Sequence, residues 1–426
     1  FKKMEIHVCN AEMTPTVDHL VEEIGKFVND TVVGTDGRGE KVVLSIGKMI
    51  RFYAEKQLAC MKELDTETPV PGVRLGHRLV PVDSVGCYVP GGRYPLPSTA
   101  LMLAIPAKVA GVKRIAACSP ASKVSGTIHP AVLVAMDIAG VDEIYCVGGA
   151  QAVAAFTYGT ESIKKVDLIC GPGNRFVTEA KRQVIGEVGI DSLAGPSEVL
   201  IIADESANPD FTAIDILAQS EHDPNARATL VTTSQELAEK TLKRVDEIAA
   251  ELPTGDLALK SWEDNGMLFV ADSMDEAIDL ANEMAPEHLE VQVKAEIEQE
   301  VSDRLLHYGS LFVGHYTPVT FGDYCSGTNH TLPTMRTARY SNGVWAGTFI
   351  KTSFIQHITE GGSHVDLSVY CSQISELISS LIIYLCGFVG FLKMLMNRAL
   401  AKSDESANAN AEPEKVAAKE EKGGEE

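Results

Sequence analysis

The stretch "KVDLICGPGNRFVTEAKRQV", Lys165 to Val184, joins three textures in one short span. An apolar, β-favouring run ends in a Gly-Pro-Gly break, and an amphipathic pattern at helical spacing follows. A strand that turns directly into a helix is half of a βαβ unit. The same texture recurs in "KRIAACS", "DEIYCVGG", "SEVLIIAD", "ARATLVTTS" and "GMLFVADS", each followed by a helical pattern. About six such units exceed one compact sheet with its helices, so the sequence predicts an α/β protein with two Rossmann-like domains and parallel-rich sheets.

Working outward, residues 12 to 66 read as an N-terminal helical region, with "VDHLVEEIGKFV" and "VVLSIGKMIRFYAEKQLACMKEL" separated by the loop "GTDGRGE". At the other end, "LISSLIIYLCGFVGFL" from Leu377 to Leu392 is an apolar run shorter than the ~20 residues of a usual membrane span. It reads as the core of a C-terminal helical tail, with a membrane tether as the alternative. Residues 401–426 are polar and acidic and are expected to be disordered.

The length of 426 residues suits two soluble domains. A net charge of −22 argues against nucleic acid and anionic membrane as partners and leaves small-molecule chemistry. Nine cysteines without CxxC pairs suggest a reducing, cytoplasmic setting. No apolar core follows the first residues, so no signal peptide is expected, and the start without Met points to a fragment or a processed end.

Five local patterns can carry chemistry. The turns "CVGGAQAVAAF" and "ICGPGNRFVTEAKRQV" let backbone amides approach an anion at a helix start, although neither is a GxGxxG. Gln151 and Asn174 at their mouths can hydrogen-bond a ribose or nicotinamide, or simply cap the helices. In "AQSEHDP", Gln219 and His222 share one face of a helix end, as zinc ligands or as a polar cluster. The loop "FGDYCSGTNHTLPT" holds Asp323 and His330, as ligand and substrate contact or as groups satisfying their own backbone. In "MAPEHLEV", Pro286 and Glu287 fit the first turn of a helix, with His288 either an incidental neighbour or a base titrating near neutrality.

In this order, "SVGCYVPGGRYPLPSTALMLAIPAKVAGVKRI", "VGGAQAVAAFTYGTESIKKVDLICGPGNRFVTEAKRQV", "AGPSEVLIIAD", "AQSEHD", "APEHLE" and "GDYCSGTNHTLPT" resemble the histidinol dehydrogenase family from about Pro71 to about Thr352. The resemblance implies a cytoplasmic, homodimeric, NAD-dependent enzyme of histidine biosynthesis. It would oxidise L-histidinol through L-histidinal to L-histidine, with one zinc ion per subunit. Tyr88, Gln151 and Asn174 would contact NAD. Gln219, His222 and Asp323 would ligate zinc. Ser197, His330, Gln219, His222, Asp323 and His288 would meet the substrate. His288 would take the hydroxyl proton, and Glu287 would activate water against the aldehyde.

The implied domains are 1–87 with 197–345 for the zinc and substrate site, 88–196 for NAD, and 346–400 for the tail. The family pattern ends with "E-x-x-x-x-H", and no histidine follows His364 here, while His357 and His364 lie too early to match. Only three zinc ligands are therefore named. The stretch "RLGHRLVPVDSVGCYVPGGRYP" also resembles the sulfopropanediol dehydrogenase branch, where Arg74, His77, Arg78 and Arg93 could favour an anionic alcohol such as 2,3-dihydroxypropane-1-sulfonate. A catalytically impaired relative is the remaining alternative.

Overall fold

The computed structural model describes residues 5–8, 38–69, 72–91, 95–122 and 126–359. Residues 360–426, with the run 377–392, His364 and most of the expected tail, lie outside the described residues, as do Arg93 and residues 9–37.

The chain divides into two compact units, Phe1–Glu63 with Arg78–Ser353, and Leu64–His77 with Phe354–Glu426. The first unit holds two parallel sheets, as the alternating pattern predicts. One is built from β1 (Glu5–Val8), β4 (Ser84–Tyr88), β5 (Arg114–Ser119), β6 (Glu143–Cys146), β7 (Leu168–Cys170) and β8 (Gly189–Ile190). Their order is β1-β6-β5-β4-β7-β8, every pair parallel. The chain leaves β4 toward β5 and later returns on its other side to β7, so Tyr88 ends the strand at the switch point of the sheet. Ligands of open α/β sheets bind beyond the strand ends at such a point.

Strand alternation gives this sheet two faces. Val85, Cys87, Ile115, Ala117 and Ile144 pack with Ile50 of α1 (Arg38–Cys60) and with α2 (Pro97–Ala110) and α3 (Pro130–Ala139). Tyr88, Ala116, Tyr145 and Ile169 pack under α4 (Ala150–Tyr158) and α5 (Arg175–Gln183).

The second sheet repeats the plan with β9 (Glu198–Ala203), β10 (Arg227–Thr232), β11 (Met267–Val270), β12 (His288–Gln292) and β13 (Ser310–Val313), ordered β11-β10-β9-β12-β13 and parallel throughout. Val199, Ile201 and Ala203 face α6 (Pro209–Ser220), α7 (Gln235–Ala249) and α8 (Gly255–Asn265). Leu200, Ile202, Leu289 and Val291 face α9 (Met274–Met284) and α10 (Glu298–Arg304). That leaves His288, Glu290 and Gln292 on the α6 side of β12, opposite Thr212, Asp215 and Gln219 on one face of α6. A polar seam results. Gln292 donates to Asp215 and Glu290 at 2.9 and 3.0 Å and accepts from Thr212 at 2.8 Å.

A third sheet has β2 (Leu64–Glu67) antiparallel to β3 (Val73–Pro81), with β14 (Ile350–Ile358) on the other side of β3; its residues 64–77 and 354–358 belong to the second unit. Arg74 bonds Asp65 at 2.7 Å across this exposed hairpin, so its charge has an ordinary structural partner.

Several expectations are corrected. The 87/88 boundary falls inside β4, and the first sheet begins with β1, which composition did not reveal. Residues 64–67 are strand rather than helix. The segment read as the start of a helical tail is a 3-10 turn over Ala346–Phe349 followed by a strand, with His357 exposed on it.

Candidate active site

Glu287 and His288 do not start a helix. Helix α9 ends at Met284, Ala285 turns the chain with a left-handed φ of 47°, and Pro286 leads into β12. A proline's fixed φ and missing N–H suit a strand entry as well as a first helical turn, which is why the local sequence misleads. His288 is the first residue of β12, paired with Val199 near the start of β9. The pair therefore lies at the N-terminal edge of the second sheet.

Chain direction brings the other groups there. A helix that follows a parallel strand runs back along it, so the C-terminal end of α6 delivers Gln219 and His222 to that edge. Helix α11 (Val319–Tyr324) follows β13 and in the same way delivers Asp323.

The pair is fastened through the first residue of β9. Glu198 gives its N–H to Glu287 Oε2 at 3.0 Å, and its carbonyl lies 3.1 Å from His288 Nδ1. Gln219 Oε1 stands 3.2 Å from the same Nδ1. With two oxygen acceptors at Nδ1, the ring keeps its hydrogen there and presents the lone pair on Nε2. Phe312 lies 6.0 Å from the imidazole, ring centre to ring centre, and adds to its dry surroundings.

Burial then separates the proton affinities. Glu287 is raised well above the usual carboxylate range by desolvation, which the Glu198 N–H and the Ser197 hydroxyl oppose and the Glu198 and Asp323 carboxylates reinforce. His288 is pushed down to about 4 by desolvation, the Glu198 carbonyl opposing and His330 and His222 reinforcing. Although His288 Nδ1 lies 3.8 Å from Glu287 Oε2, the imidazole is uncharged near neutral pH, so the contact is not an ion pair. His330 is likewise pushed to about 4, and Asp323 is raised to about 6, both by burial.

His330 ties this edge to the first sheet. Its Nε2 lies 3.1 Å from Ser98 Oγ in the first turn of α2, and its N–H meets Met102 Sδ at 3.1 Å. Asn329 donates to the Met102 carbonyl at 2.7 Å. Because α2 follows β4, its N-terminus lies at the C-terminal edge of the first sheet. The C-terminal edge of one sheet therefore meets the N-terminal edge of the other.

At the first sheet's edge, both glycine turns sit between strand ends and helix starts. The Tyr88 hydroxyl accepts from the Gly149 N–H at 3.0 Å, and the ring is buried. Asn174 caps α5, its side-chain oxygen accepting from Phe176 and Val177, while Gln151 lies exposed in the first turn of α4. The capping role is therefore real for Asn174, and its amide N–H₂ remains outside that bond.

Sequence reasoning missed Glu198 and Ser98. Glu198 could have been suspected from its place at a strand start in "PSEVLIIAD". Ser98 gave no signal, since its partner His330 lies far along the chain.

For zinc, no group of three or more His, Cys, Asp or Glu side chains with metal-holding geometry occurs among the described residues. Gln219 adds an amide oxygen to the candidates at this edge. One imidazole, one carboxylate and the Gln219 oxygen form a nitrogen-oxygen donor set suited to zinc. Burial raises the Asp323 carboxyl to about 6, so a divalent charge beside it would be favourable. In donor chemistry the residues fit the ion.

The family model described as Histidinol dehydrogenase matches residues 29–376. The histidinol dehydrogenase of Methanothermobacter thermautotrophicus is 51% identical over 292 residues, covering 68% of this chain and 68% of that protein. The histidinol dehydrogenase homolog of Shouchella clausii is 48% identical over 316 residues, 74% of this chain and 73% of that protein. Among solved structures, the histidinol dehydrogenase of Elizabethkingia anophelis is similar with a TM-score of 0.78 at 35% identity, over 87% of this chain and 82% of that one.

Proposed function

Because the chain belongs to the histidinol dehydrogenase family and is an oxidoreductase acting on a CH–OH group, we propose that it oxidises L-histidinol through L-histidinal to L-histidine with NAD⁺ and zinc. The observation that carries this reading is the buried Glu287–His288 pair, split in proton affinity and set where the edges of the two sheets meet.

The net change is R–CH₂OH + 2 NAD⁺ + H₂O → R–COO⁻ + 2 NADH + 3 H⁺. When bound, NAD⁺ supplies the hydride acceptor, and zinc held by Gln219, His222 and Asp323 supplies a Lewis acid that orients the substrate. The chain's own residues manage position and protons. His288, neutral and locked at Nδ1, takes the hydroxyl proton on Nε2. Glu287, whose raised proton affinity suits a base working near neutrality, takes a proton from the water that attacks the aldehyde. Ser197 holds the Glu287 carboxylate, and His330, fixed by Ser98, lines the substrate's side of the site. Tyr88, Gln151 and Asn174 frame the dinucleotide at the switch point.

The same chemistry on a sulfonated alcohol draws less support, since Arg74 is engaged by Asp65. A substrate panel tests the reading. Reduction of NAD⁺ by L-histidinol and by L-histidinal is expected from zinc-loaded protein. Turnover of 2,3-dihydroxypropane-1-sulfonate alone would move the substrate to that class, and turnover of none would overturn the function.

A further inference from the structure

Behind the second glycine turn lies an ion pair that neither proton transfer nor substrate contact uses. Lys181 on α5 and Asp191 just after β8 meet with only 3% of each side chain exposed. A buried ion pair of this kind adds little stability over an apolar pair of equal volume, because desolvation offsets the attraction. What it adds is direction. Each partner makes a further hydrogen bond, and both of these go to Gly171. Asp191 Oδ2 accepts the Gly171 N–H at 2.7 Å, and Lys181 Nζ donates to the Gly171 carbonyl at 3.1 Å.

Gly171 is also fixed on its open face. Its φ of 117° is a conformation that side chains rarely allow, and a Cβ there would stand 2.2 Å from the Tyr88 carbonyl oxygen and 2.8 Å from Leu103 Cδ1. The residue is thus wedged against the end of β4 while its two polar groups are gripped from behind. Asn174 follows three residues later and opens α5, and Tyr88 reaches the other turn through Gly149.

We infer that Lys181 and Asp191 are positioning residues for the dinucleotide, locking Gly171 so that the start of α5, with Asn174, stands in fixed relation to Tyr88. This rests on the proposed NAD⁺ reading. Neither side chain needs to touch the cofactor. Their effect passes through one residue that cannot shift without moving one of two groups on opposite sides of the switch point.

The test uses the paired variant K181M/D191L, because removing one charge alone strands the other in a buried place. Its NAD⁺ dissociation constant is measured calorimetrically beside kcat at saturating NAD⁺, KM for the alcohol, and the thermal midpoint. NAD⁺ binding is expected to weaken about tenfold or more, with kcat and alcohol KM within about threefold of the parent, since a small misplacement of a contacting group is costly. The charge-conserving D191E, which keeps the ion pair but shifts the oxygen that accepts the Gly171 N–H by one methylene, should fall between the parent and the pair and serves as the readout if the pair does not fold. Unchanged NAD⁺ affinity in a folded variant overturns the inference, as does parallel weakening of cofactor and alcohol binding with a lowered thermal midpoint. Failure of the parent to bind NAD⁺ overturns the cofactor reading and this inference with it.

Discussion

Glu287 and His288 are neighbours in sequence, yet burial moves their proton affinities in opposite directions, the glutamate upward and the histidine to about 4. Two titratable groups driven apart in this way can divide acid and base duties near neutrality. His288→Ala should lower kcat by roughly 10²- to 10⁴-fold, the usual worth of a positioned base. NAD⁺ affinity, measured calorimetrically, should hold, because the proposed cofactor contacts lie on the first sheet; a rate near the parent's would refute the role of base. Glu287→Gln should slow oxidation of L-histidinal more than the first oxidation of L-histidinol, and equal slowing of both steps would count against water activation. Little of this was legible locally. Pro286 pointed to a helix start, and only the order of motifs along the chain set the pair among a Gln-His ligand couple and an aspartate loop. Its grip on both ends of Glu198 depends on pairing between β9 and β12, which a single sequence does not display.

At the scale of elements, the apolar strands declared themselves and the others did not. β9 and β10 are buried on both faces and read as continuous hydrophobic runs, as central parallel strands should. β12 is short and carries His288, Glu290 and Gln292 toward α6, so its pattern "HLEVQ" was hidden beside a helix signal. The edge strand β14 is exposed along nearly its whole length and lacks the burial signature altogether. The first sheet is tied by Arg114, which bonds Glu143 through two nitrogens at 2.8 and 2.7 Å and also donates to the carbonyls of Lys164 and Lys165. That guanidinium holds the Glu143 carboxyl down to about 2 from 4.5, helped by the Tyr145 hydroxyl. A lowered folded-state value means stability that is present above pH 4.5 and lost as pH falls toward 2, with a ceiling of about 3 kcal/mol. Urea melts at pH 6 and pH 3.5 should show a smaller loss on acidification for Glu143→Gln than for the parent. An identical loss would remove the pair from the acid response.

Across the whole molecule, two sheets that share a five-strand order, the first with β1 added beside β6, are used at opposite edges. The first offers the C-terminal strand ends and helix starts that suit a dinucleotide. The second offers its N-terminal edge, to which returning helices carry Gln219, His222 and Asp323. Fold class and the approximate extent of the sheets were legible because βα alternation is a short-range pattern. The meeting of the edges was not, because it depends on contacts such as His330 with Ser98 across most of the chain. Performance of both oxidations at one site is checked by counting NADH formed per L-histidinol consumed, with limiting alcohol and excess NAD⁺. Two NADH and one L-histidine per alcohol, with no free aldehyde, is the expected result; one NADH with L-histidinal accumulating, or none, would contradict it.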